Sequence, residues 1–209
     1  MRPIAIVMPT CGLQDAERVM AEAQKMAGVE TVPIISHDPE QTGFTRNTNR
    51  GLARVPDGHD AMILNDDVEG FYLGWLKTLR DGLYSRDDIG LIGPSGDCST
   101  LPMALAPKGG EGMESVGWFP LWCALIRREA FDAVGLLDER YIHYASDCDY
   151  GDRMRSAGWL VVWHREVVLT HITAGSKTRR AWAGHDISLY ELRKRRQLRE
   201  GTWPALRSL

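Results

Sequence analysis

Residues 4–9 of the chain are Ile-Ala-Ile-Val-Met-Pro, an apolar run that ends at a proline. Apolar runs rich in β-branched residues are typical of strands that are buried on both faces of a parallel sheet. Three shorter runs follow, at residues 32–35, 61–64 and 89–92. The segments between them have the apolar spacing of amphipathic helices, at residues 15–27, 45–55 and 72–83. This alternation predicts an α/β fold with a mostly parallel central sheet flanked by helices.

The rest of the chain departs from this simple alternation. Residues 94–117 are rich in Gly, Pro, Ser and Met, and they predict a long loop of the kind that is usually functional or mobile. After this loop, the sequence predicts strands at residues 118–126, 160–163 and 167–170, and helices at residues 128–134, 147–157 and 186–199.

Length and composition exclude several classes of protein. The chain has 209 residues, of which 44% are hydrophobic and 25% charged, which are the proportions of a globular domain rather than a disordered protein. The longest stretches without Asp, Glu, Lys or Arg are twelve residues, 3–14 and 115–126, whereas a membrane-spanning helix needs about 20 apolar residues. The first residues also lack the features of a signal peptide. We therefore expect a cytoplasmic protein without a transmembrane segment.

Charge is distributed unevenly along the chain. The net charge is −3, but residues 176–209 contain nine Lys or Arg and three Asp or Glu, a balance of +6 that leaves −9 for the remainder. Five of the basic residues lie within residues 193–199. This basic tail is either a solvated helix end favoured by the helix dipole, or a surface that attracts a polyanion such as modified DNA or an anionic membrane.

Polar residues follow two of the predicted strands, at the edge of the sheet where α/β proteins bind ligands. Asn65, Asp66 and Asp67 come directly after the strand at residues 61–64. They are either a solvated acidic turn or ligands for Mg²⁺ or Mn²⁺, ions that bridge carboxylates to substrate phosphates. His171 follows the strand at residues 167–170. It is either an ordinary surface or core histidine, or a nitrogen ligand that completes the site of Asp67 and favours Mn²⁺.

A second acidic group begins the helix predicted at residues 147–157. Asp147 lies at the helix N-terminus, where backbone N–H groups and the dipole favour an ionised carboxylate that accepts a proton. The alternative is that Asp147 simply caps the helix. Asp149 lies four residues before Arg153, and this spacing predicts an ion pair between them.

Five segments carry motifs in a fixed order. Residues 43–51 match G-F-x-x-x-x-N-x-G, residues 127–139 match R-R-x-x-F-x-x-V-G-x-x-D-E, and residues 171–176 match H-x-x-x-G-S. Residues 65–67 are similar to D-x-D and residues 146–153 to E-D-x-D-x-x-x-R, with Asn65 and Ser146 in place of the first acidic residue. Together these segments resemble the family 2 glycosyltransferases of the GT-A fold, over about residues 3–176.

The resemblance implies an organisation and an activity. It implies a Rossmann-like GT-A domain at residues 1–176, with a nucleotide-sugar-binding half (1–93) and an acceptor half (94–176), followed by the basic helical tail (177–209). The activity it implies is metal-dependent, inverting transfer of a sugar from a nucleotide-diphosphate sugar, such as a UDP-sugar, to an acceptor hydroxyl. The chain lacks the Q-x-x-R-W motif of processive synthases, which favours transfer of a single sugar. The donor sugar stays open, and so does the acceptor, which is a small molecule, a protein, a lipid or modified DNA.

The resemblance also implies roles for individual residues. Asp147 corresponds to the general base, and Asp67 with His171 would hold Mn²⁺ or Mg²⁺. Candidate donor-binding residues are Thr10, Asp38, Asn49, Asn65, Asp66, Lys177 and Arg179. Candidate acceptor-binding residues are Trp118 and Asp149.

Two other functions share part of this pattern. A sugar nucleotidyltransferase has a similar core and metal carboxylates, but it needs a Gly- and Arg/Lys-rich phosphate loop after the first strand, where this chain has Thr-Cys-Gly-Leu-Gln at residues 10–14. A binding module that has lost catalysis predicts loss of Asp67, Asp147 or His171, and all three are present.

Overall fold

The computed structural model describes the backbone of residues 1–97, 109–172 and 179–209, and the side chains of residues 1–95, 109–172 and 181–209. The strands in this part of the chain are β1 (Ile4–Thr10), β2 (Thr31–His37), β3 (Asp60–Leu64), β4 (Val68–Glu69), β5 (Ile89–Asp97), β6 (Met113–Ser115), β7 (Cys123–Ile126) and β8 (Leu160–His171). The helices are α1 (Leu13–Met26), α2 (Phe44–Leu52), α3 (Trp75–Leu83), α4 (Arg128–Val134), α5 (Ser146–Ser156) and α6 (Arg179–Glu200).

The strands form one sheet in the order β2-β1-β3-β7-β5-β8-β4, with β6 paired to β8. β1 is parallel to both β2 and β3, and β5 is parallel to β8. β7 is antiparallel to its neighbours β3 and β5, and β4 and β6 are antiparallel to β8. The predicted α/β sheet is confirmed, but it is more mixed than the sequence indicates, because the apolar run of β7 carries no information on strand direction.

Helices cover both faces of the sheet, as the apolar character of β1 predicts. Ile4, Ile6 and Met8 point to one face, where α1 and α3 pack on them. Alternate residues of β1 point to the opposite face, which α2, α4 and α5 cover. A Cβ atom at Gly51 would lie 2.3 Å from Val7 Cγ1, so the glycine of the G-F-x-x-x-x-N-x-G motif allows α2 to approach β1 closely.

Several predicted boundaries differ from the observed ones. The strands predicted at residues 160–163 and 167–170 are a single strand, β8, whose pairing with β5 shifts register between Pro94 and Ser95. The strand predicted at residues 118–126 is confined to β7, and β6 lies within the segment predicted as loop. α6 begins at Arg179, seven residues before the predicted start. None of the helices in the described part of the chain is both long enough and apolar enough to span a membrane.

Candidate active site

The first part of the site is built at the carboxyl ends of β1 and β3, which are parallel neighbours. Thr10 is the last residue of β1, and its buried hydroxyl group accepts a hydrogen bond from Gly12 N (2.9 Å) and donates one to the Asp66 carboxylate. Burial raises the pKa of Asp66, and the neighbouring charge of Asp67 adds to this effect, while the bond from Thr10 opposes it. The structure therefore brings together two residues predicted to bind the donor.

A second pair lies where β3 and β8 end. His171 Nε2 is 2.9 Å from Asp67 Oδ1 and 3.3 Å from Asn65 Nδ2. The short strand β4 places Val68 opposite His171, and Asp67 O accepts a hydrogen bond from Ile172 N (2.8 Å), so backbone pairing holds the two segments together. The predicted proximity of Asp67 and His171 is thus confirmed.

An aromatic ring orients His171. The indole of Trp122 stacks on the imidazole, with 5.3 Å between ring centroids and 7° between planes. The carbonyl oxygen of Trp122 also accepts a hydrogen bond from Asn65 N (2.8 Å). The sequence leaves open whether Trp122 stacks on a sugar ring or packs the core, and it does not predict this stacking on His171.

A divalent cation fits beside Asp67 and His171. The 2.9 Å between Asp67 Oδ1 and His171 Nε2 is the distance of an ion pair or hydrogen bond. It is also close to the separation of two ligand atoms at right angles on a Mg²⁺ ion, about 3 Å when each lies about 2.1 Å from the metal. Asn65 Oδ1 is buried beside them and has no hydrogen-bond partner among the described residues. Within residues 1–97, 109–172 and 179–209, no three Asp, Glu, His or Cys side chains form a group that holds a metal by itself. Water and donor oxygens would therefore complete the coordination of the ion.

Two further residues predicted to bind the donor are largely engaged within the fold. Asp38 is buried; its Oδ2 accepts hydrogen bonds from Thr42 N (2.6 Å) and Thr42 Oγ1 (2.9 Å), and its Oδ1 pairs with Arg50 (3.1 Å). Asn49 donates to Leu137 O (2.9 Å) and accepts from Leu137 N (2.9 Å). Asn49 thus ties α2 to the segment after α4, which gives this motif residue a structural role.

Asp147 is the second residue of α5, and its Oδ1 accepts a hydrogen bond from Cys148 N (2.8 Å). The sequence predicts that the helix N-terminus dominates and favours the ionised form. Burial is the larger effect, however, and it raises the pKa of Asp147 above its ordinary value in spite of this hydrogen bond. Asp147 is half-buried, so loss of water opposes the effect of the helix N-terminus, and the ionised state expected at neutral pH stays a prediction. A raised pKa makes the ionised carboxylate a stronger base, which suits proton abstraction.

The two residues predicted to contact the acceptor differ in their surroundings. Trp118 is half-buried and lies against α5, because a Cβ atom at Gly151 would be 2.7 Å from Trp118 Cβ. Asp149 is 1% exposed and forms ion pairs with Arg153 (2.8 Å), as predicted, and with Arg193 of α6. Asp149 therefore packs α6 on α5, which gives it a structural role, and its contact with the acceptor stays a prediction.

The two residues of the tail that are predicted to bind the donor have side chains outside the described part of the structure. Lys177 lies outside the described residues, and Arg179 is described only by its backbone, as the first residue of α6. Arg193, which the sequence places with the basic tail, is 12% exposed and pairs with Asp149 and with Asp152 (2.5 Å). The basic tail is thus not wholly a solvated surface.

Strand order, helices on both faces and the polar residues after β3 define a mixed α/β protein with the GT-A fold of glycosyltransferases. The chain is similar to the structure of GalNAc-T7 with UDP, GalNAc and Mn²⁺, at a TM-score of 0.62 and 13% identity. The match covers 82% of this chain and 44% of GalNAc-T7. It is also similar to the mannosyltransferase PcManGT from Pyrobaculum calidifontis, in complex with GDP-Man and Mn²⁺, at a TM-score of 0.63 and 14% identity. This match covers 93% of this chain and 64% of PcManGT. The predicted GT-A fold is confirmed.

Sequence relatives include a rhamnosyltransferase and an O-antigen biosynthesis protein. The chain is 47% identical over 64 residues to the N-acetylglucosaminyl-diphospho-decaprenol L-rhamnosyltransferase of Mycobacterium tuberculosis, a match that covers 31% of this chain and 21% of that protein. It is 25% identical over 158 residues to the O-antigen biosynthesis protein RfbC of Myxococcus xanthus, covering 62% of this chain and 12% of that protein. The chain therefore spans about a fifth or less of these relatives. No protein-family profile matches it.

Proposed function

We propose that the chain is a metal-dependent, inverting, family 2-like glycosyltransferase that moves one sugar from a nucleotide-diphosphate sugar to an acceptor hydroxyl. The observation that carries the proposal is the 2.9 Å separation of Asp67 Oδ1 and His171 Nε2 at the carboxyl edge of the sheet. A pair of ligands at this edge suits a diphosphate held through a cation. The Mn²⁺ complexes of the two structural neighbours, one with UDP and GalNAc and the other with GDP-Man, support the same assignment.

Residues at the ends of β1 and β3 would bind the donor, for which UDP is the first nucleotide to test. Thr10 and Asp66 are already hydrogen-bonded, so they present a fixed hydroxyl and carboxylate next to Asp67. Asp67 and His171 would hold Mn²⁺ or Mg²⁺, while Asn65 offers a buried amide oxygen to a metal-bound water or a ribose hydroxyl. The cation, when bound, neutralises charge that builds on the leaving diphosphate.

Asp147 would act as the general base. In the reaction, the acceptor oxygen forms a bond to the anomeric carbon while the bond from that carbon to the diphosphate oxygen breaks with its electron pair leaving on the diphosphate. The acceptor proton passes to the Asp147 carboxylate, whose raised pKa favours this transfer. Attack opposite the leaving group inverts the anomeric carbon. Trp118, which packs on the same helix, would contact the acceptor.

The acceptor to test first is a lipid-linked saccharide. The sequence relative from Mycobacterium tuberculosis is named for transfer of rhamnose to N-acetylglucosaminyl-diphospho-decaprenol, and it shares 47% identity over 64 residues with this chain. A small saccharide that lacks the lipid is the matched control. Transfer to the free saccharide at the same rate would show that the enzyme does not recognise the lipid.

Metal removal provides the test of the whole proposal. Binding of UDP and of other nucleoside diphosphates is measured by calorimetry with Mn²⁺ and with EDTA, for the wild type, Asp67→Ala and the exposed control Asp87→Ala. We expect tight binding only with Mn²⁺, loss of this dependence in Asp67→Ala, and wild-type behaviour in the control. Equal affinity with and without metal contradicts the metal assignment.

Product analysis separates this activity from the two alternatives. A glycosyltransferase releases a nucleoside diphosphate from a nucleotide sugar, whereas a sugar nucleotidyltransferase consumes or releases pyrophosphate. A binding module yields neither product. Release of pyrophosphate, or the absence of turnover with every donor and acceptor pair, contradicts the proposed function.

A further inference from the structure

α6 contains a buried acid in an otherwise basic region. Asp186 is 0% exposed, although residues 176–209 have a balance of +6. A carboxylate that is removed from water needs several hydrogen bonds to offset the loss of hydration. The partners of Asp186 therefore indicate what this residue does.

Asp186 accepts hydrogen bonds from three consecutive backbone N–H groups. Ile142 N donates to Oδ1 (3.1 Å), while His143 N (2.8 Å) and Tyr144 N (2.8 Å) both donate to Oδ2. His185 Nδ1 lies 2.8 Å from Oδ1. Burial by itself raises the pKa of this carboxyl, but these hydrogen bonds outweigh it and leave the pKa below its ordinary value. The carboxylate is thus ionised and bound to the loop at neutral pH.

The loop that Asp186 binds leads directly into the helix of Asp147. Ala145 follows Tyr144 and has φ of 58°, a left-handed conformation that is uncommon for a residue other than glycine. Such a conformation persists only where the surrounding structure imposes it. Ser146 and Asp147 then begin α5.

The other side of the loop is fixed by α2. Thr45 N donates to Ile142 O (3.3 Å), and a Cβ atom at Gly43 would lie 2.7 Å from the same oxygen. Ile142 thus contacts α2 through its carbonyl group and α6 through its N–H group. Asp186 holds the second side of the loop, and its hydrogen bonds to residues 142–144 all come from backbone N–H groups.

We propose that Asp186 is a positioning residue for Asp147, and that α6 is therefore part of the catalytic unit rather than an appended tail. This inference rests on the proposed function, because it takes Asp147 to be the general base. Loss of the three hydrogen bonds would let the loop and the start of α5 shift, and small displacements of a catalytic group cost large factors in rate.

The central experiment compares Asp186→Asn with Tyr190→Phe. The asparagine keeps the shape of the side chain but directs an NH₂ group at N–H donors. Tyr190→Phe removes the hydrogen bond from α6 to Asp152 (3.0 Å) one turn further along and leaves the loop bonds intact. We expect kcat to fall about 10- to 100-fold in Asp186→Asn with unchanged affinity for UDP and Mn²⁺, and to stay near wild type in Tyr190→Phe.

Hydrogen exchange provides a readout that is independent of activity. In the wild type, we expect the amides of residues 142–144 to be as protected as those of the core strands, and in Asp186→Asn we expect this protection alone to fall. Fast exchange of these amides in the wild type overturns the proposal, even if the variant fails to fold. Equal kcat in the two variants of an active enzyme overturns it as well. An inactive wild type instead contradicts the proposed function.

Discussion

The imidazole of His171 lies parallel to the indole of Trp122, with 5.3 Å between ring centroids. Trp122 also accepts a hydrogen bond from Asn65 N, so one residue connects the end of β3 with the end of β8. Mutation of a residue that orients a metal ligand typically costs about 10- to 100-fold in metal affinity or activity. Trp122 is therefore expected to set the geometry of the proposed metal site.

Replacement of Trp122 tests this relationship. We expect Trp122→Leu to raise the Mn²⁺ concentration required for half-maximal UDP binding about tenfold, because His171 loses the ring that holds its orientation. The measurement is a Mn²⁺ titration of UDP binding. Trp118→Leu, on the same segment but packed on α5, is the control and should leave the Mn²⁺ requirement unchanged. An unchanged requirement in Trp122→Leu contradicts the role of the stack.

Asp147→Asn should lower turnover without weakening donor binding. The amide cannot accept the proton, so we expect turnover to fall about 10²- to 10⁴-fold while donor binding is retained. Near-normal turnover would place the base elsewhere.

The same variant should change how stability depends on pH. Because burial raises the folded-state pKa of Asp147, its ionised form is disfavoured in the folded protein. This cost is absent below the unfolded-state pKa, grows as the pH rises to the folded-state pKa, and is constant above it. We therefore expect urea unfolding to show Asp147→Asn more stable than wild type at about pH 8 and equal to it at about pH 3. A variant that is less stable at the higher pH contradicts the assigned burial.

The basic residues of α6 should divide into two classes. Arg195, Arg196 and Arg199 are exposed, and we propose that they contact a polyanion. Their joint replacement by Gln should weaken low-salt binding to anionic vesicles or duplex DNA, measured by cosedimentation and gel shift, and should spare UDP binding. Absence of salt-sensitive binding by the full chain to either ligand contradicts this role.

Arg193 belongs to the other class. Arg193→Gln removes a cation from two buried carboxylates, Asp149 and Asp152, and should lower the free energy of unfolding by about 2 kcal/mol. Chemical denaturation provides the measurement, with Arg195→Gln as the matched control. Equal stability of the two variants would show that Arg193 is not needed to pack α6 on α5.

Ala145→Gly should stabilise the protein. Glycine adopts φ of 58° without a steric penalty, so we expect a gain of about 1 kcal/mol in the free energy of unfolding. Ala53→Gly is the control, since Ala53 has φ of −64° and a glycine there should be neutral or destabilising. A loss of stability in Ala145→Gly would mean that the backbone at this position is not strained.

The sequence by itself determined the alternation of strands and helices, and it determined that the polar residues lie at the carboxyl edge of the sheet. The apolar run of β1 predicts burial on both faces, and parallel strands bring their carboxyl ends together, so Thr10 and Asp66 meet as their positions in the chain require. The (i, i+4) ion pair of Asp149 and Arg153 was also predictable, because the geometry of a helix depends only on local spacing.

Only the tertiary structure decided the rest. The antiparallel pairing of β7 with β3 joins distant segments, and so do the ion pair of Asp149 with Arg193 and the hydrogen bonds of Asp186 to residues 142–144. The partners are about 40 or more residues apart, and no local sequence pattern encodes such contacts. The pKa of Asp147 also depends on the tertiary structure. The helix dipole that favours its ionised form is visible in the sequence, but the stronger opposing effect is loss of water, which depends on how distant parts of the chain pack around it.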